Sequence, residues 1–356
     1  MEKRRYEGLS VIIPVYNSEK CLQRCLNSVI EQKYKDIEII CINDGSTDSS
    51  AEILDHYSKA DSRVKVVHKQ NEGVSVARNL GIKTATKPLI TFVDSDDYIE
   101  PDMFLKMMER MQQDELDCVC CNARRILNKN RVLPIVSGFG TSVLRGEEIR
   151  EEAIKALIGI IDRDAECLCF LWNKIYVLEI LNKHNIRLNE KRNHGEDWLF
   201  NIDYLSHIDS IGFMEEMFYN YWYTTGTLVS RPRKEYFEWC IQANDLFMQK
   251  FPDFDREFFI RKSNRIPIMS ALYYRHTFKG EERKAMLAKI YTYCKETDYY
   301  KNSSFLTDQQ IKLKRCLDEG NKKKFISYLK KFTNKGYYKV KIRDTIKKIV
   351  RSVTKI

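Results

Sequence analysis

Three aspartates lie within four positions directly after a hydrophobic run in the segment ITFVDSDDYIEPD, residues 90–102. Asp94, Asp96 and Asp97 carry like charges that repel one another, so a compensating group is expected beside them. Two carboxylates at positions i and i+2, just past a strand, can present oxygens to a hard divalent cation that also binds phosphate. Taken alone, the segment fits equally well an acidic turn that caps a helix starting near Pro101.

Four other short segments combine polar side chains with the ends of apolar stretches. They are PVYN (Pro14, Val15 and Tyr16), NDGSTD with Asp44, NEGVSVARNLG with Asn71 and Arg78, and GEDW with Glu196 and Asp197. An acid such as Asp44 can hold hydroxyl or imino donors of a nucleotide, and an arginine can pair with a diphosphate or with a neighbouring aspartate. Each segment alone also fits a turn, a solvated helix face or an acidic helix start.

Apolar strands and amphipathic helices alternate through the first 125 residues, beginning with LSVIIPVY, SEKCLQRCLNSVIEQ and IEIICIN. This alternation predicts an α/β fold with a doubly wound, mostly parallel sheet. In such sheets ligands bind beyond the carboxyl ends of the strands. PVYN, NDGSTD, NEG and DSDD all follow predicted strands, so we expect them to converge on one edge of the sheet.

The pattern loosens after about residue 130. LWNKIYVLEILNKHNI predicts a strand end that leads into a helix, a second helix begins near Glu196, and IGFMEEMFYNYWY alternates like a strand or hairpin. From about Arg233 onward the chain is expected to be helical. We therefore predict a catalytic domain over 1–231, with a nucleotide half (1–125) and an acceptor half (126–231), a helical region over 232–335, and a basic amphipathic helix over 336–356.

Composition and charge narrow the classes of protein. The chain has 356 residues and a net charge of +10, but residues 321–356 carry 13 Lys and Arg against one acid, which leaves −2 for the rest. A nucleic-acid surface on the main body is therefore not expected. The eleven cysteines form no CxxC pair and lie mostly in apolar segments, which favours buried reduced thiols over zinc or disulfides. With no signal peptide in MEKRRYEGLS, a cytoplasmic location is expected.

The order and spacing of PVYN, NDGSTD, NEGVSVARNLG and DSDD closely resemble the nucleotide-sugar half of family 2 glycosyltransferases, and LWNKIY, GEDWLFN and GTLVSR resemble their second half more loosely. The resemblance implies a GT-A fold. It also implies an inverting transfer from a nucleoside diphosphate sugar, most simply a UDP-sugar, to a glycan or lipid-linked glycan in cell-surface polysaccharide synthesis. The implied cofactor is Mn²⁺ or Mg²⁺.

The resemblance also assigns roles to individual residues. Donor-binding positions are Pro14, Val15, Tyr16, Asp44, Asn71, Arg78, Asp94, Ser95 and Asp96, of which Asp96 and Asp94 form the DxD metal pair. Asp197 matches the general base, and Glu196 the acid that supports it or the acceptor. Asp97 is expected to serve the structure.

Four further side chains are candidates for acceptor binding or support: Trp172, Lys174, Trp198 and Arg231. Trp172 and Trp198 could flank a sugar ring, although Trp172 fits a core position equally well. Lys174 faces either the diphosphate or solvent in this interpretation, and Arg231 could clamp the diphosphate when its loop closes. Related sequences often have arginine where this chain has Trp222, which weakens the assignment of that loop.

Two other functions remain as alternatives. A sugar-nucleotide pyrophosphorylase shares the wound sheet but would need a glycine-rich basic loop where this chain has PVYNSEK. A non-catalytic, membrane-associated partner could keep the nucleotide fold, and the acids at positions 94, 96 and 197 argue against it.

The basic C-terminal stretch YYKVKIRDTIKKIVRSVTKI, residues 337–356, has apolar residues three or four positions apart with lysines and arginines between them. That spacing predicts one apolar stripe on a cationic helix, which can lie at an anionic membrane surface. Packing on the protein itself or in a homodimer is the alternative.

Deletion of residues 337–356 should release the protein from anionic liposomes, because it removes both the apolar stripe and much of the tail's charge. Cosedimentation with phosphatidylglycerol vesicles, with neutral vesicles as the control, measures this. Equal sedimentation of the full-length and shortened chains with anionic vesicles would exclude the membrane role.

Overall fold

In the computed structural model of the protein, the described residues are 6–128, 131–161, 163, 165–192, 195–223, 233–300 and 304–334. The chain divides into two units, over residues 1–224 and 225–356. The finer division into the four segments predicted above stays a prediction, and residues 336–356 lie outside the described residues.

One mixed sheet forms the centre of the first unit. In the described residues it contains ten strands: β1 (Leu9–Val15), β2 (Ile37–Asp44), β3 (Val64–Lys69), β4 (Leu89–Phe92), β5 (Tyr98–Ile99), β6 (Cys118–Asn128), β7 (Arg131–Ile135), β8 (Val143–Arg145), β9 (Lys174–Val177) and β10 (Ser210–Trp222). Their order is β3-β2-β1-β4-β9-β6-β10-β5, with β7 beside β6 and β8 beside β10. β1, β2, β3, β4, β6 and β10 run in the same direction. The predicted α/β class with a mostly parallel sheet is therefore confirmed.

Helices connect these strands. They are α1 (Leu22–Ile30), α2 (Ser50–Ala60), α3 (Val74–Thr84), α4 (Met103–Gln113), a π-helical segment (Ile149–Ile154) that continues into α5 (Lys155–Leu157), α6 (Glu166–Cys169), α7 (Leu178–Lys183) and α8 (Glu196–Leu205). The predicted helix near Glu196 begins at that residue. The predicted strand or hairpin after residue 210 is the single long strand β10.

The apolar pattern explains why these segments fold as they do. Every residue of β1 and β2 is buried, as expected for strands covered on both faces. In α1 the buried residues are Leu22, Cys25, Leu26 and Val29, which recur at the helical spacing and form one face. All eleven cysteines are free thiols, and most are buried.

Helix α3 approaches the sheet closely because Gly81 has no side chain. A Cβ atom added at Gly81 would overlap Cγ2 of Ile12, a fully buried residue of β1. The close approach matters for the site because α3 also carries Arg78, three residues earlier on the same helix.

The second unit is helical in its described part, as predicted. It contains α9 (Tyr236–Lys250), α10 (Arg256–Thr277), α11 (Gly280–Glu296), α12 (Asp308–Asp318) and α13 (Lys322–Asn334). Buried residues such as Phe237, Tyr274, Ile290, Leu313 and Phe325 join these helices in one hydrophobic cluster. Across the residues described, no helix combines the length and the apolar character that a membrane crossing requires.

Replacement of Gly81 by alanine should destabilise the first unit. Alanine favours a helix by about 1 kcal/mol over glycine, but overpacking costs about 1–3 kcal/mol. We therefore expect a net loss and a lower melting temperature, measured by differential scanning fluorimetry. Lys59→Ala at an exposed position of α2 is the control and should change little. A Gly81→Ala melting temperature above that of the native chain would contradict the close packing of α3 on β1.

Candidate active site

The aspartate-rich turn after β4 is held in place by β10. The Asp97 N–H donates to the Asp94 carbonyl (3.1 Å), and the Asp94 N–H donates to the Tyr219 hydroxyl (3.1 Å). That hydroxyl donates to Oδ2 of Asp97 (2.8 Å), and the Trp222 N–H donates to Oδ1 (2.7 Å). The fully buried Asp97 carboxylate therefore fastens the turn to β10 and does not cap α4. The carboxylates of Asp94 and Asp96 take no part in these contacts with β10.

Arg78 joins the two groups of acids that the sequence places far apart. Its Nη2 donates to Oδ1 of Asp94 (2.8 Å), and its Nη1 lies 3.7 Å from Oε1 of Glu196. The arginine side chain is only 9% exposed, and its Nε has no hydrogen-bond partner among the described residues. The turn after β4 and the first turn of α8 therefore form one site.

Burial and crowding of negative charge shift the pKa values of these groups. Burial and the charge of Asp94 raise the pKa of Asp96 to about 6. Burial and the charge of Glu196 raise the pKa of Asp197 to about 6 as well, although Arg78 opposes the shift. Burial disfavours the charge on Arg78, but Asp94 and Glu196 outweigh that effect and raise its pKa. The site thus carries more negative charge than Arg78 alone compensates.

A further acid, Asp44 at the end of β2, holds the loop after β3 by hydrogen bonds. Its carboxylate accepts hydrogen bonds from Lys69 Nζ (2.7 Å) and from the N–H groups of Glu72 (3.0 Å) and Gly73 (2.8 Å). Burial acts against ionisation, but these donors outweigh it and lower the pKa of Asp44. Nδ2 of Asn71 donates to the Asp44 carbonyl (3.0 Å). Asp44 is therefore an ionised acceptor at the sheet edge.

An open depression lies at this edge and is lined by Gly45, Ser46, His68, Lys69, Gln70 and Asn71. Gly45 has a φ of +69°, and an added Cβ would lie 2.6 Å from the Asn71 backbone nitrogen. The two loops after β2 and β3 can therefore meet at this point because Gly45 has no side chain.

The three predicted donor residues at the end of β1 and directly after it differ in their exposure. Tyr16 is 52% exposed, whereas Pro14 and Val15 are buried, so in this structure only the tyrosine presents its side chain to solvent. Ser95 is also buried, and its hydroxyl shares a 2.7 Å hydrogen bond with the Ser18 hydroxyl. Ser95 thus ties the DSDD turn to the segment after β1.

The prediction that Lys174 faces the diphosphate or solvent is wrong. Lys174 faces neither a diphosphate site nor solvent, because it is 1% exposed and its Nζ donates to the carbonyls of Cys167 (3.0 Å) and Phe170 (2.5 Å). Asn201 also donates to the Phe170 carbonyl (3.1 Å) and to the Asp197 carbonyl (2.9 Å). Lys174 therefore supports the segment that braces the start of α8.

The two tryptophans are placed differently. Trp172 is 4% exposed and lies in an aromatic stack, with its ring 4.0 Å from that of Tyr219 and 4.5 Å from that of Phe170. It takes the core position that the sequence left open. Trp198 is half-buried, and its Nε1 donates to the Leu157 carbonyl (3.1 Å). Arg231 lies outside the described residues.

The sequence did not reveal three residues that hold the site together. Tyr219 and Trp222 fasten the DSDD turn as described, and Arg24 of α1 donates to the Asp96 carbonyl (2.5 Å). The strand prediction placed the two aromatics on β10, but nothing in a linear sequence pairs them with Asp97. The spacing of apolar residues in α1 defines its buried face and predicts no contact for Arg24.

The donor set at Asp94 and Asp96 fits a divalent cation. No group of three or more His, Cys, Asp or Glu side chains that could hold a metal occurs among the residues that the structure describes. Magnesium commonly uses one or two carboxylates and takes its other ligands from substrate phosphates and water. Burial and the neighbouring Asp94 raise the pKa of Asp96 although Arg24 and Arg78 oppose the shift, so the negative charge of the pair is only partly compensated.

Comparisons with known proteins identify the family of the chain. Residues 10–175 match the Glycosyl transferase family 2 model. The putative glycosyltransferase EpsH of Bacillus subtilis is 32% identical over 249 residues, which cover 68% of this chain and 70% of that protein. The uncharacterized glycosyltransferase EpsJ of the same organism is 32% identical over 226 residues, covering 64% of each chain. The chain belongs to glycosyltransferase family 2.

A solved structure has the same fold. The crystal structure of S. aureus TarS 1-349 in complex with UDP-GlcNAc superimposes with a TM-score of 0.68 at 18% identity and covers 93% of both chains. The GT-A fold is thereby confirmed.

Replacement of Asp96 by asparagine should stabilise the metal-free protein at pH 7.5. The folded state holds the Asp96 proton more tightly than the unfolded chain, so its ionisation costs stability as the pH rises from about 4 to about 6. Two pKa units correspond to about 3 kcal/mol, and we expect a gain of about 1–3 kcal/mol.

Melting temperatures in EDTA at pH 7.5 and pH 4.5 measure this effect, which should shrink at the lower pH. Asp318→Asn, at an exposed position of α12, is the control. A variant that melts below the native chain at pH 7.5 would contradict the charge crowding at Asp96.

Proposed function

We propose that this protein is an inverting, metal-dependent hexosyl or N-acetylhexosaminyl transferase. It moves a sugar from a nucleoside diphosphate sugar, a UDP-sugar in the simplest case, to a hydroxyl of a glycan or lipid-linked glycan in cell-surface polysaccharide synthesis. The family supports the general activity, and the TarS complex with UDP-GlcNAc supports the choice of nucleotide.

The observation that carries this proposal is the shared arginine. Arg78 contacts Asp94 on the DSDD turn and lies beside Glu196 on α8, so acids suited to a metal–diphosphate group and acids suited to proton transfer flank one position. Glycosyl transfer needs a group that binds the metal and diphosphate and a group that removes the acceptor proton. The two groups must be about one sugar residue apart. A site for nucleotide binding alone would not need the second pair of acids.

Asp197 is the proposed general base. As the bond between the anomeric carbon and the diphosphate oxygen breaks, the acceptor oxygen bonds to that carbon from the opposite face and its proton passes to the Asp197 carboxylate. A base must be ionised before it can accept this proton, and the pKa of about 6 leaves Asp197 ionised at neutral pH but more basic than an ordinary aspartate. Attack from the opposite face inverts the configuration.

Asp96 and Asp94 would hold the divalent cation, Mn²⁺ or Mg²⁺. When bound, such an ion neutralises charge on the departing diphosphate. Asp44, Asn71 and Tyr16 are proposed to form the nucleoside site at the open sheet edge. In this structure, the buried, ionised Asp44 carboxylate accepts from the N–H groups of Glu72 and Gly73, and the nucleoside would share this acceptor. Glu196 would support the acceptor or the base.

The proposed working place is the cytoplasmic face of the membrane, because a lipid-linked acceptor would present its glycan there. The cationic segment over residues 337–356, which lies outside the described residues, would attach the enzyme to anionic lipid. A homodimer contact is the alternative use of the same segment.

Asp197→Asn should abolish sugar transfer while leaving the donor site intact. Wild-type protein is first incubated with UDP-, GDP- and dTDP-sugars, with Mn²⁺ or EDTA, and released nucleoside diphosphate is measured. Where a donor is turned over, loss of a general base typically costs about 10²–10⁴-fold, so we expect a fall of that size in kcat. The wild-type kcat/KM should also decline below pH 6, as Asp197 becomes protonated.

Asp203→Asn, on the same helix and half-exposed, is the matched control. Thermal stabilisation by Mn²⁺ and UDP should persist in Asp197→Asn, because its carboxylate is not proposed to touch either ligand. Full activity of Asp197→Asn would remove the base assignment. Turnover of no donor, together with no Mn²⁺-dependent stabilisation by any nucleotide, would overturn the proposed function.

A further inference from the structure

Arg24, on helix α1, contacts the DSDD turn through a backbone carbonyl. Its Nη2 donates to the carbonyl oxygen of Asp96 at 2.5 Å, across 72 positions of sequence. The carbonyl belongs to the residue whose carboxylate is the principal proposed metal ligand. A hydrogen bond at this carbonyl restrains the peptide plane after Asp96 and therefore the backbone that carries its side chain.

The Arg24 guanidinium is itself fixed by two aromatic rings. Its Cζ lies 4.5 Å from the centre of the Trp222 ring and 5.1 Å from that of the Tyr98 ring. Its Nε is buried and has no hydrogen-bond partner among the described residues, so the group is held by stacking and by the Asp96 contact. A planar cation on an aromatic face combines electrostatic attraction with stacking.

Trp222 closes this arrangement into a ring of contacts. Its indole lies against Arg24, Arg24 bonds to Asp96, and Asp97 accepts a hydrogen bond from the Trp222 N–H (2.7 Å). The turn is thus bound to α1 through the Asp96 carbonyl and to β10 through the Asp97 carboxylate. Neither contact uses the side chain of Asp94, which is paired with Arg78, or that of Asp96.

We propose that Arg24 is a positioning residue for the metal–diphosphate site, acting through the Asp96 peptide and the Trp222 ring. Its charge also lies close to the acids of the DSDD turn, because its Nη2 contacts the Asp96 peptide directly. A role through charge alone and a role through geometry make different predictions for lysine at position 24. Lysine keeps the positive charge. Its ammonium group is not planar, so it cannot stack on the Trp222 ring while it donates to the Asp96 carbonyl as the guanidinium does.

The first test measures the free protein. Hydrogen–deuterium exchange of the peptide that covers residues 93–99 should be at least tenfold faster in both Arg24→Met and Arg24→Lys than in the native chain. A peptide from β2 is the internal reference, and Arg265→Met, at an exposed position of α10, is the control variant. Unchanged exchange at 93–99 in Arg24→Met would overturn the positioning role, whether or not the protein binds nucleotide.

The second test measures binding of Mn²⁺ and UDP by calorimetry and rests on the proposed function. We expect about a tenfold weaker Kd in Arg24→Met, a similar loss in Arg24→Lys, and the same loss in Trp222→Leu. The double variant Arg24→Met/Trp222→Leu should be no weaker than either single variant, because both changes break the same ring.

The outcomes separate the two proposals. If the native chain binds no nucleotide, the proposed function fails and hydrogen exchange alone decides the role of Arg24. If the native chain binds and Arg24→Lys binds equally well, charge is sufficient and the positioning role is wrong. Additive losses in the double variant would also contradict it. In the turnover assay, a positioning role should raise the donor KM more than it lowers kcat, and lysine should not rescue the KM.

Discussion

The buried ion pair between Arg78 and Asp94 is the interaction on which the site depends. It places a cation between two groups of acids that would otherwise repel each other, and it does so where the arginine side chain is only 9% exposed. A buried charge must be paired. Loss of Asp94 would remove the close partner of the guanidinium, and loss of Arg78 would leave the negative charge of the acids uncompensated. Helix α3 can carry Arg78 to this point because Gly81 lets it lie close against β1.

The DSDD turn divides its groups between structural contacts and the proposed ligand binding. Backbone groups and the Asp97 carboxylate are used by Tyr219, Trp222 and Arg24, and the Ser95 hydroxyl is paired with Ser18. The carboxylates of Asp94 and Asp96 are left crowded, with the pKa of Asp96 raised to about 6. We expect the proposed cation to stabilise this site, because crowded carboxylates are a usual cost of a preformed binding site.

Periodicity was sufficient to predict the framework. The buried strands β1 and β2, the apolar face of α1 and the start of α8 follow directly from the spacing of hydrophobic residues. Because the carboxyl ends of parallel strands share an edge, the convergence of the strand ends was also predictable. The Arg78 pairing with an Asp of DSDD was foreseen as one of two options, and the structure shows that contact.

The side-chain environment of single residues was beyond such patterns. Lys174 is buried and donates to backbone carbonyls in the interior. The spacing of hydrophobic residues could not predict this, because a lysine is ordinarily exposed. The roles of Arg24 and Tyr219 arise from contacts between elements distant in sequence, and Trp172 was recognisable only as a large aromatic residue. Tertiary packing decides these cases.

The most direct measurement is a crystal structure of the Asp197→Asn variant with Mn²⁺ and an intact UDP-sugar. We expect the metal on Asp96, the nucleoside beside Asp44 and Asn71, and residue 197 on the face of the sugar ring opposite the diphosphate. A sugar nucleotide bound away from the DSDD turn, or residue 197 on the same face as the diphosphate, would contradict this expectation.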